Sequence, residues 1–200
     1  MEDLLGNSEE LLENCHSLEK LSLGWINPID TTDTIENIGK NGQTLKVLHL
    51  KYALDLQNVG NRTKAIEELF KSCVELNELK IIFCRGEFLN AMVNNLTPNI
   101  RKVDLSCQFK SSHLQDEHVK LLVERCNRIT ELNLGGRTSI TNVSVDSVAT
   151  HLNSSLEKLD VSYTKIDSTA LLQLKSVGTL KVLICICRTF KVEENEKLKS

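Results

Sequence analysis

The residue types with the most chemical potential in this 200-residue sequence are seven cysteines and five histidines. Cys185 and Cys187 form a C-x-C pair, but a zinc site usually takes four ligands, and no second pair stands at matching spacing. Cys15 precedes His16, yet adjacency alone does not make a nucleophile and its base, because such pairs form in space across a fold. The glycines of "LNLGGRT" lack the lysine of a phosphate-binding loop. We therefore expect no enzyme activity, no metal site and no cofactor.

Three of the cysteines share one position in a repeated pattern. Cys15, Cys73 and Cys126 each lie six residues before the first inward-facing residue of a short alternating segment, and Val177 holds the same place in a fourth copy. A position shared by Cys and Val is a small apolar site, so we expect buried, reduced thiols there. The odd number and wide spacing of the cysteines also argue against a disulfide framework.

The alternating segment itself occurs seven times. Each copy has apolar residues at offsets −3 and 0 from an anchor and an apolar residue or Cys at +2, and the anchors follow one another at steps of 27, 31, 24, 29, 27 and 24 residues. A strand this short buries nothing alone, and helix-spaced apolar residues stand between the copies, so the pattern predicts stacked strand–helix units. We expect one repeat array over 1–200. The anchors are Leu21, Leu48, Leu79, Val103, Leu132, Leu159 and Leu183.

The segments "NCHSLEKLSL", "SCVELNELKI" and "RCNRITELNL" resemble the cysteine-containing repeats of the F-box/leucine-rich-repeat family. The resemblance implies an α/β fold, a right-handed horseshoe of about seven repeats with a parallel sheet on the concave face and helices on the convex face. It also implies substrate recognition for an SCF-type E3 ubiquitin ligase in ubiquitin-dependent protein degradation, in the cytoplasm or nucleus. One departure is that only Cys84 fills the family's second cysteine slot, where Arg137 and other residues stand in the remaining repeats.

The F-box that docks such proteins on the ligase adaptor is not found, because residues 1–15 read as a repeat helix. We therefore expect a fragment of a longer array or an array without that module, so that an adaptor is a partner only if an F-box lies outside these residues. Two alternatives stay open. One is a free-standing scaffold or inhibitor that resembles the antagonist-of-mitotic-exit-network group; the other is a small-GTPase regulator, which the absence of a strongly acidic tail disfavours.

In such an array, binding falls to the side chains that face away from the helices. At offset +1 stand His49, Lys80, Asp104, Asn133 and Asp160, with Glu78, Lys102, Glu131 and Lys158 among the residues at offset −1. These rows mix both signs of charge, which favours a protein or peptide ligand on the concave face, although an ordinary solvated surface would look the same. The formal net charge of −3 excludes a broad positive field for nucleic acid, and "VLICIC" is too short to span a membrane.

A second candidate is a column of aromatic residues at offset +4. Trp25, Tyr52, Phe83 and Tyr163 occupy it, and they are four of the eight aromatic residues in the chain. Large aromatics that stay partly exposed anchor protein interfaces, so these four are predicted to lie on a binding rim. An internal stack that seals the loops between repeats explains the column equally well.

Overall fold

The computed structural model describes residues 15–24, 31–40, 42–51, 60–82, 86–107 and 113–186. Each of the seven anchors lies in a strand, and the strands form one parallel sheet whose order follows the chain from β1 to β7. The strands are β1 Lys20–Gly24, β2 Val47–Lys51, β3 Glu78–Ile82, β4 Lys102–Asp104, β5 Glu131–Asn133, β6 Lys158–Asp160 and β7 Val182–Ile184.

The register of the sheet follows the repeat template. Leu21 pairs with Leu48, Leu48 with Leu79, and so on through every neighbouring pair to Leu159 and Leu183. Because side chains alternate along a strand, this register places all the anchors on one face and all the residues at offsets +1 and −1 on the other. Unequal steps between anchors are absorbed by the connecting segments, so the strands stay aligned.

The helices cover the anchor face. They are α1 Thr31–Lys40, α2 Gly60–Ser72, α3 Gly86–Asn95, α4 Asp116–Arg125, α5 Asn142–His151 and α6 Ser168–Gln173, with short 3-10 turns at Gly42–Thr44 and Leu174–Ser176. Each helix packs on the helix of the next repeat, and apolar residues such as Leu69, Leu89 and Leu122 meet the anchors in one continuous core. The predicted α/β architecture is confirmed. The polar segment "QNVGNRTK" suggests a loop from its composition, but the chain there is helical from Gly60 onward, in five of its eight residues.

Two of the residues predicted to be buried are not. Leu183 is 41% exposed, because β7 is the last strand of the sheet and one of its sides has no neighbouring strand among the described residues. Leu23, in the first strand, is half-buried for the corresponding reason at the other end. Val182 and Ile186 are also exposed, as expected from their outward positions.

The shared cysteine position is a packing site in two repeats of the three. Cys73 and Cys126 are buried, and burial raises the pKa of the Cys73 thiol to about 11 and that of the Cys126 thiol to about 12. The Cys126 thiol donates a hydrogen bond to the carbonyl oxygen of Thr97 at 3.5 Å. Cys15 is only half-buried, which corrects the prediction for the first repeat, where it lies at the edge of the described residues. No disulfide joins any two of the five cysteines in the described ranges.

Carboxylates fix the starts of the last two helices, α5 and α6. Asp167 is the N-cap of α6, and its carboxylate accepts hydrogen bonds from the backbone amides of Thr169 and Ala170. Asp116, in the first turn of α4, reaches the next repeat instead: its carboxylate accepts hydrogen bonds from the backbone amide and hydroxyl of Thr141 and from the hydroxyl of Ser144. The repeats are therefore joined by polar contacts at the helix starts as well as by the core.

Candidate protein-binding face

We call the side of the sheet that faces away from the helices the open face. Its side chains come from offsets +1 and −1, and between β2 and β7 they line a shallow depression of about 300 Å³. Five of the predicted site residues lie together there: His49, Lys80, Asp104, Asn133 and Asp160. The predicted site omitted the row at offset −1, which lines the depression as well. These residues are Glu78, Lys102, Glu131 and Lys158.

Ion pairs and hydrogen bonds between neighbouring strands engage most of the charged side chains on the open face. The Lys80 ammonium lies 2.5 Å from an Asp104 carboxylate oxygen, and Nε2 of His49 lies 2.7 Å from Oε1 of Glu78. Burial alone would raise the pKa of Asp104, but hydrogen bonds from Lys80 and Ser106 outweigh it and lower that pKa below its ordinary value. Asp104 is therefore charged and paired at neutral pH.

A three-residue network continues the pattern on β4, β5 and β6. Glu131 lies between Lys102, at 2.6 Å, and Lys158, at 3.8 Å. The hydrogen bond from Lys102 lowers the pKa of Glu131, and the same bond raises the pKa of Lys102. All three side chains are substantially exposed, so the network contributes little to folding stability, on the order of 1 kcal/mol or less per pair.

The polar residues at offset +1 also end the strands. Oδ1 of Asp104, Asn133 and Asp160 accepts a hydrogen bond from the backbone amide two residues further on, at Ser106, Gly135 and Ser162, over 2.9–3.0 Å. Such Asx turns stop a strand by offering its backbone a side-chain partner. The sequence contains this signal as "DLS", "NLG" and "DVS". The prediction that these side chains face a ligand did not consider that they also end the strands.

Most of the predicted aromatic column lies outside the residues that the structure describes. Trp25, Tyr52 and Phe83 lie outside the described residues. Tyr163 is 48% exposed and has a left-handed backbone with φ of 58°, an uncommon conformation for a residue other than glycine. Cys107 holds the same column position and is buried, so the column does not form one uniform surface. Tyr163 does not line the depression.

The chemistry available to the open face is that of recognition. The face offers ammonium, carboxylate, amide and imidazole groups, of which Lys80 is hydrogen-bonded to Asp104 and His49 to Glu78. The strand positions of three anchors also line the depression: Leu79, Val103 and Leu132. Within the described ranges, no group of three His, Cys, Asp or Glu side chains is placed to hold a metal ion. In the same ranges, no helix is long and apolar enough to cross a membrane.

Neither the protein-family models nor the curated proteins give a match to this sequence. Among solved structures, the chain is similar to the crystal structure of the Rad7 and Elc1 complex in yeast, with a TM-score of 0.62 and 19% identity over 94% of this chain and 55% of that chain. An internalin (inlF) from Listeria monocytogenes also matches, with a TM-score of 0.49 and 15% identity over 88% of this chain and 49% of that chain. The chain thus spans about half the length of either structure.

The repeats, the in-register parallel sheet and the helices on one of its faces together define a leucine-rich-repeat solenoid of the α/β class. The likeness to the Rad7 structure agrees with this fold.

Proposed function

We propose that this protein is a protein-interaction module whose ligand binds on the open face of β2–β6. One observation carries the proposal: none of the helices in the described part of the chain covers this face of the sheet, and five predicted recognition residues line one depression on it. Partly exposed side chains of both signs, held in register by neighbouring strands, match a polar protein surface better than a uniformly charged one.

The finer proposal concerns the cellular task. The cysteine-type repeats resemble those of F-box/leucine-rich-repeat proteins, and Rad7, whose structure has a similar fold, was crystallised in complex with Elc1. On this support we assign the chain to target recognition for a ubiquitin ligase in the cytoplasm or nucleus, with contact to the ligase made by a module outside these residues. A free-standing scaffold would use the same face without a ligase.

Affinity capture with matched charge variants tests the module. One double variant, Lys80→Glu with Lys158→Glu, reverses two charges on the open face. The control double variant, Lys64→Glu with Lys120→Glu, makes the same change in net charge on the exposed surfaces of α2 and α4. We expect the open-face variant to lose the partners that the wild-type chain captures and the helix-face variant to keep them, provided that both retain wild-type circular dichroism. Partners that survive in the open-face variant would contradict the proposal.

The same captures, made with the longest native product of the gene, separate the two tasks. Recovery of a ligase adaptor and a cullin subunit supports target recognition for a ligase. Reproducible partners without either subunit would favour the scaffold.

A further inference from the structure

The charges on the open face do not cancel completely, and one carboxylate is left over. Four acidic residues and three lysines line the depression. Lys80 pairs with Asp104, Lys102 and Lys158 share Glu131, and Glu78 has His49. Among the described residues, no basic side chain lies within ion-pair distance of Asp160.

Asp160 is oriented by a backbone hydrogen bond and lies beside a glycine of the neighbouring repeat. Its Oδ1 accepts the amide hydrogen of Ser162 at 2.9 Å, which leaves Oδ2 available for a ligand. The neighbouring repeat has Gly135 at the adjacent position of the same face, where a Cβ would stand 3.5 Å from Oδ1 of Asp160. The same position stands 3.2 Å from Oδ1 of Asn133, so two side-chain oxygens border the space over Gly135 and can both accept hydrogen bonds from a ligand there.

The surface beyond Asp160 is apolar. Ile184 is the direct strand partner of Asp160 and lines the same depression, and Val182 on that strand is 44% exposed. The rest of the open face presents paired charges and amides, so a lone carboxylate next to exposed branched aliphatics occurs at this end alone within the described sheet.

We infer that β6 and β7 form a subsite for an extended peptide segment carrying a basic residue, one intervening residue and then a branched or long aliphatic residue. The basic side chain binds the Asp160 carboxylate beside Gly135, and the aliphatic side chain packs on Ile184 and Val182. Side chains on the same side of an extended chain are two residues apart, which sets the basic-x-aliphatic spacing. This inference rests on the proposed function, since it names the chemistry of the ligand on the same face.

Peptide arrays provide the test with the full chain as probe. Nine-residue peptides with varied flanks carry Arg-x-Leu, Gln-x-Leu, Glu-x-Leu or Arg-x-Ser at the centre, and the strongest binders are titrated in solution. We expect Arg-x-Leu peptides to bind about tenfold more tightly than the other three classes. Equal binding of the four classes, or no binding by any, would overturn the inference.

Three variants locate the contact. Asp160→Asn keeps the acceptor for Ser162 and the shape of the side chain, so it should remove the preference for Arg over Gln without lowering the melting temperature. Glu131→Gln and Asp146→Asn make the same change in charge at a paired site on the open face and at an exposed site on α5, and should keep that preference. Loss of the preference in all three would indicate attraction to net charge and not a subsite.

Ile184→Thr tests the aliphatic half and should remove the preference for Leu over Ser. The outcome is also separable from that of the proposed function. Cellular partners that are lost with Lys80→Glu and Lys158→Glu but unaffected by Asp160→Asn would refute the subsite and leave the protein-interaction module intact.

Discussion

At the scale of single residues, Arg137 is the largest side chain that is fully enclosed in the described part of the chain. It stands in the slot where the repeats that this sequence resembles carry their second cysteine. Its Nε donates a hydrogen bond to the carbonyl oxygen of Leu105, on the neighbouring repeat, at 2.5 Å. A guanidinium enclosed in this way is stable only because it is hydrogen-bonded, so it ties the loop after β5 to the repeat before it.

Removing this side chain should be costly. We expect Arg137→Ala to lower the free energy of unfolding by about 3 kcal/mol or more, since it leaves a cavity and an unsatisfied carbonyl. Arg101 is a matched control: it is exposed and donates one hydrogen bond to the carbonyl of Arg128 at 3.1 Å, so Arg101→Ala should cost less than about 1 kcal/mol. Urea denaturation of both variants measures the difference, and equal losses would show that burial of Arg137 contributes nothing.

The cysteines give a prediction in pH. The pKa values of Cys73 and Cys126 are raised to about 11 and about 12 from an ordinary value of 9.0, so above pH 9 the unfolded chain loses protons that the folded chain keeps. The stabilisation is therefore present in full below about pH 9 and is lost as pH rises toward the folded values.

At pH 8, thiol reagents should modify half-buried Cys15 and Cys185 quickly and reach Cys73 and Cys126 only on unfolding. Fast native labelling of the buried pair, followed by mass spectrometry of the peptides, would contradict the packing role.

The sequence predicted which residues meet on the open face but not what they do to one another. Offsets fix the face of each side chain, so His49, Lys80 and Asp160 could be assigned without coordinates. The ion pairs depend on side-chain reach across strands, and the Asx turns depend on backbone beyond the strand, neither of which the periodic template contains. That is why Asp160, the unpaired member, could not be distinguished from the paired Asp104 in advance.

At the scale of elements, the turns that follow the strands decide how closely repeats stack. Gly136 lies in the turn after β5 with φ of 78°, and a Cβ there would collide with the carbonyl oxygen of Cys107 on the preceding repeat. Tyr163 adopts the same left-handed conformation one repeat later at the same offset. The tight turn is therefore a shared feature of these two repeats, and glycine is required where the neighbouring backbone is closest.

Gly136→Ala should lower the free energy of unfolding by more than about 2 kcal/mol, because it combines the collision with an unfavourable φ. Gly178 precedes β7 in open space, with nothing within 4 Å of the position of a Cβ. Gly178→Ala should therefore be neutral or slightly stabilising, within about 1 kcal/mol. Thermal unfolding followed by circular dichroism compares the two variants. Similar melting temperatures would mean that the repeats can separate at this turn without loss.

The register of the strands was predictable to the residue because their spacing repeats. The burial of side chains at the two ends of the described array was not predictable. Every anchor lies in a strand at the expected register, yet Leu183 is exposed while its equivalents are buried. The template describes a repeat with a neighbour on each side. Burial in β1 and β7 depends on what lies beyond them, which a repeat pattern cannot supply.

At the scale of the whole molecule, the chain is a stack in which each repeat contacts the repeats before and after it. Strand pairs with following strand and helix packs on following helix along the described array. The stability of such solenoids is close to a sum of contributions from neighbouring repeats. Side chains on the open face take no part in the core between sheet and helices. The predictions for Arg137 and Gly136 concern contacts between repeats, whereas changes on the open face should alter binding with little effect on folding.

Site-specific photo-cross-linking in cells tests most directly whether the open face is the binding surface. A photoreactive amino acid replaces Asn133, at the centre of the open face, or Asp146, on the exposed side of α5, and the cross-linked products are compared by gel shift and mass spectrometry. We predict a discrete cross-linked protein partner from position 133 and none from position 146. Discrete products from position 146 with none from position 133 would contradict the assignment of the open face.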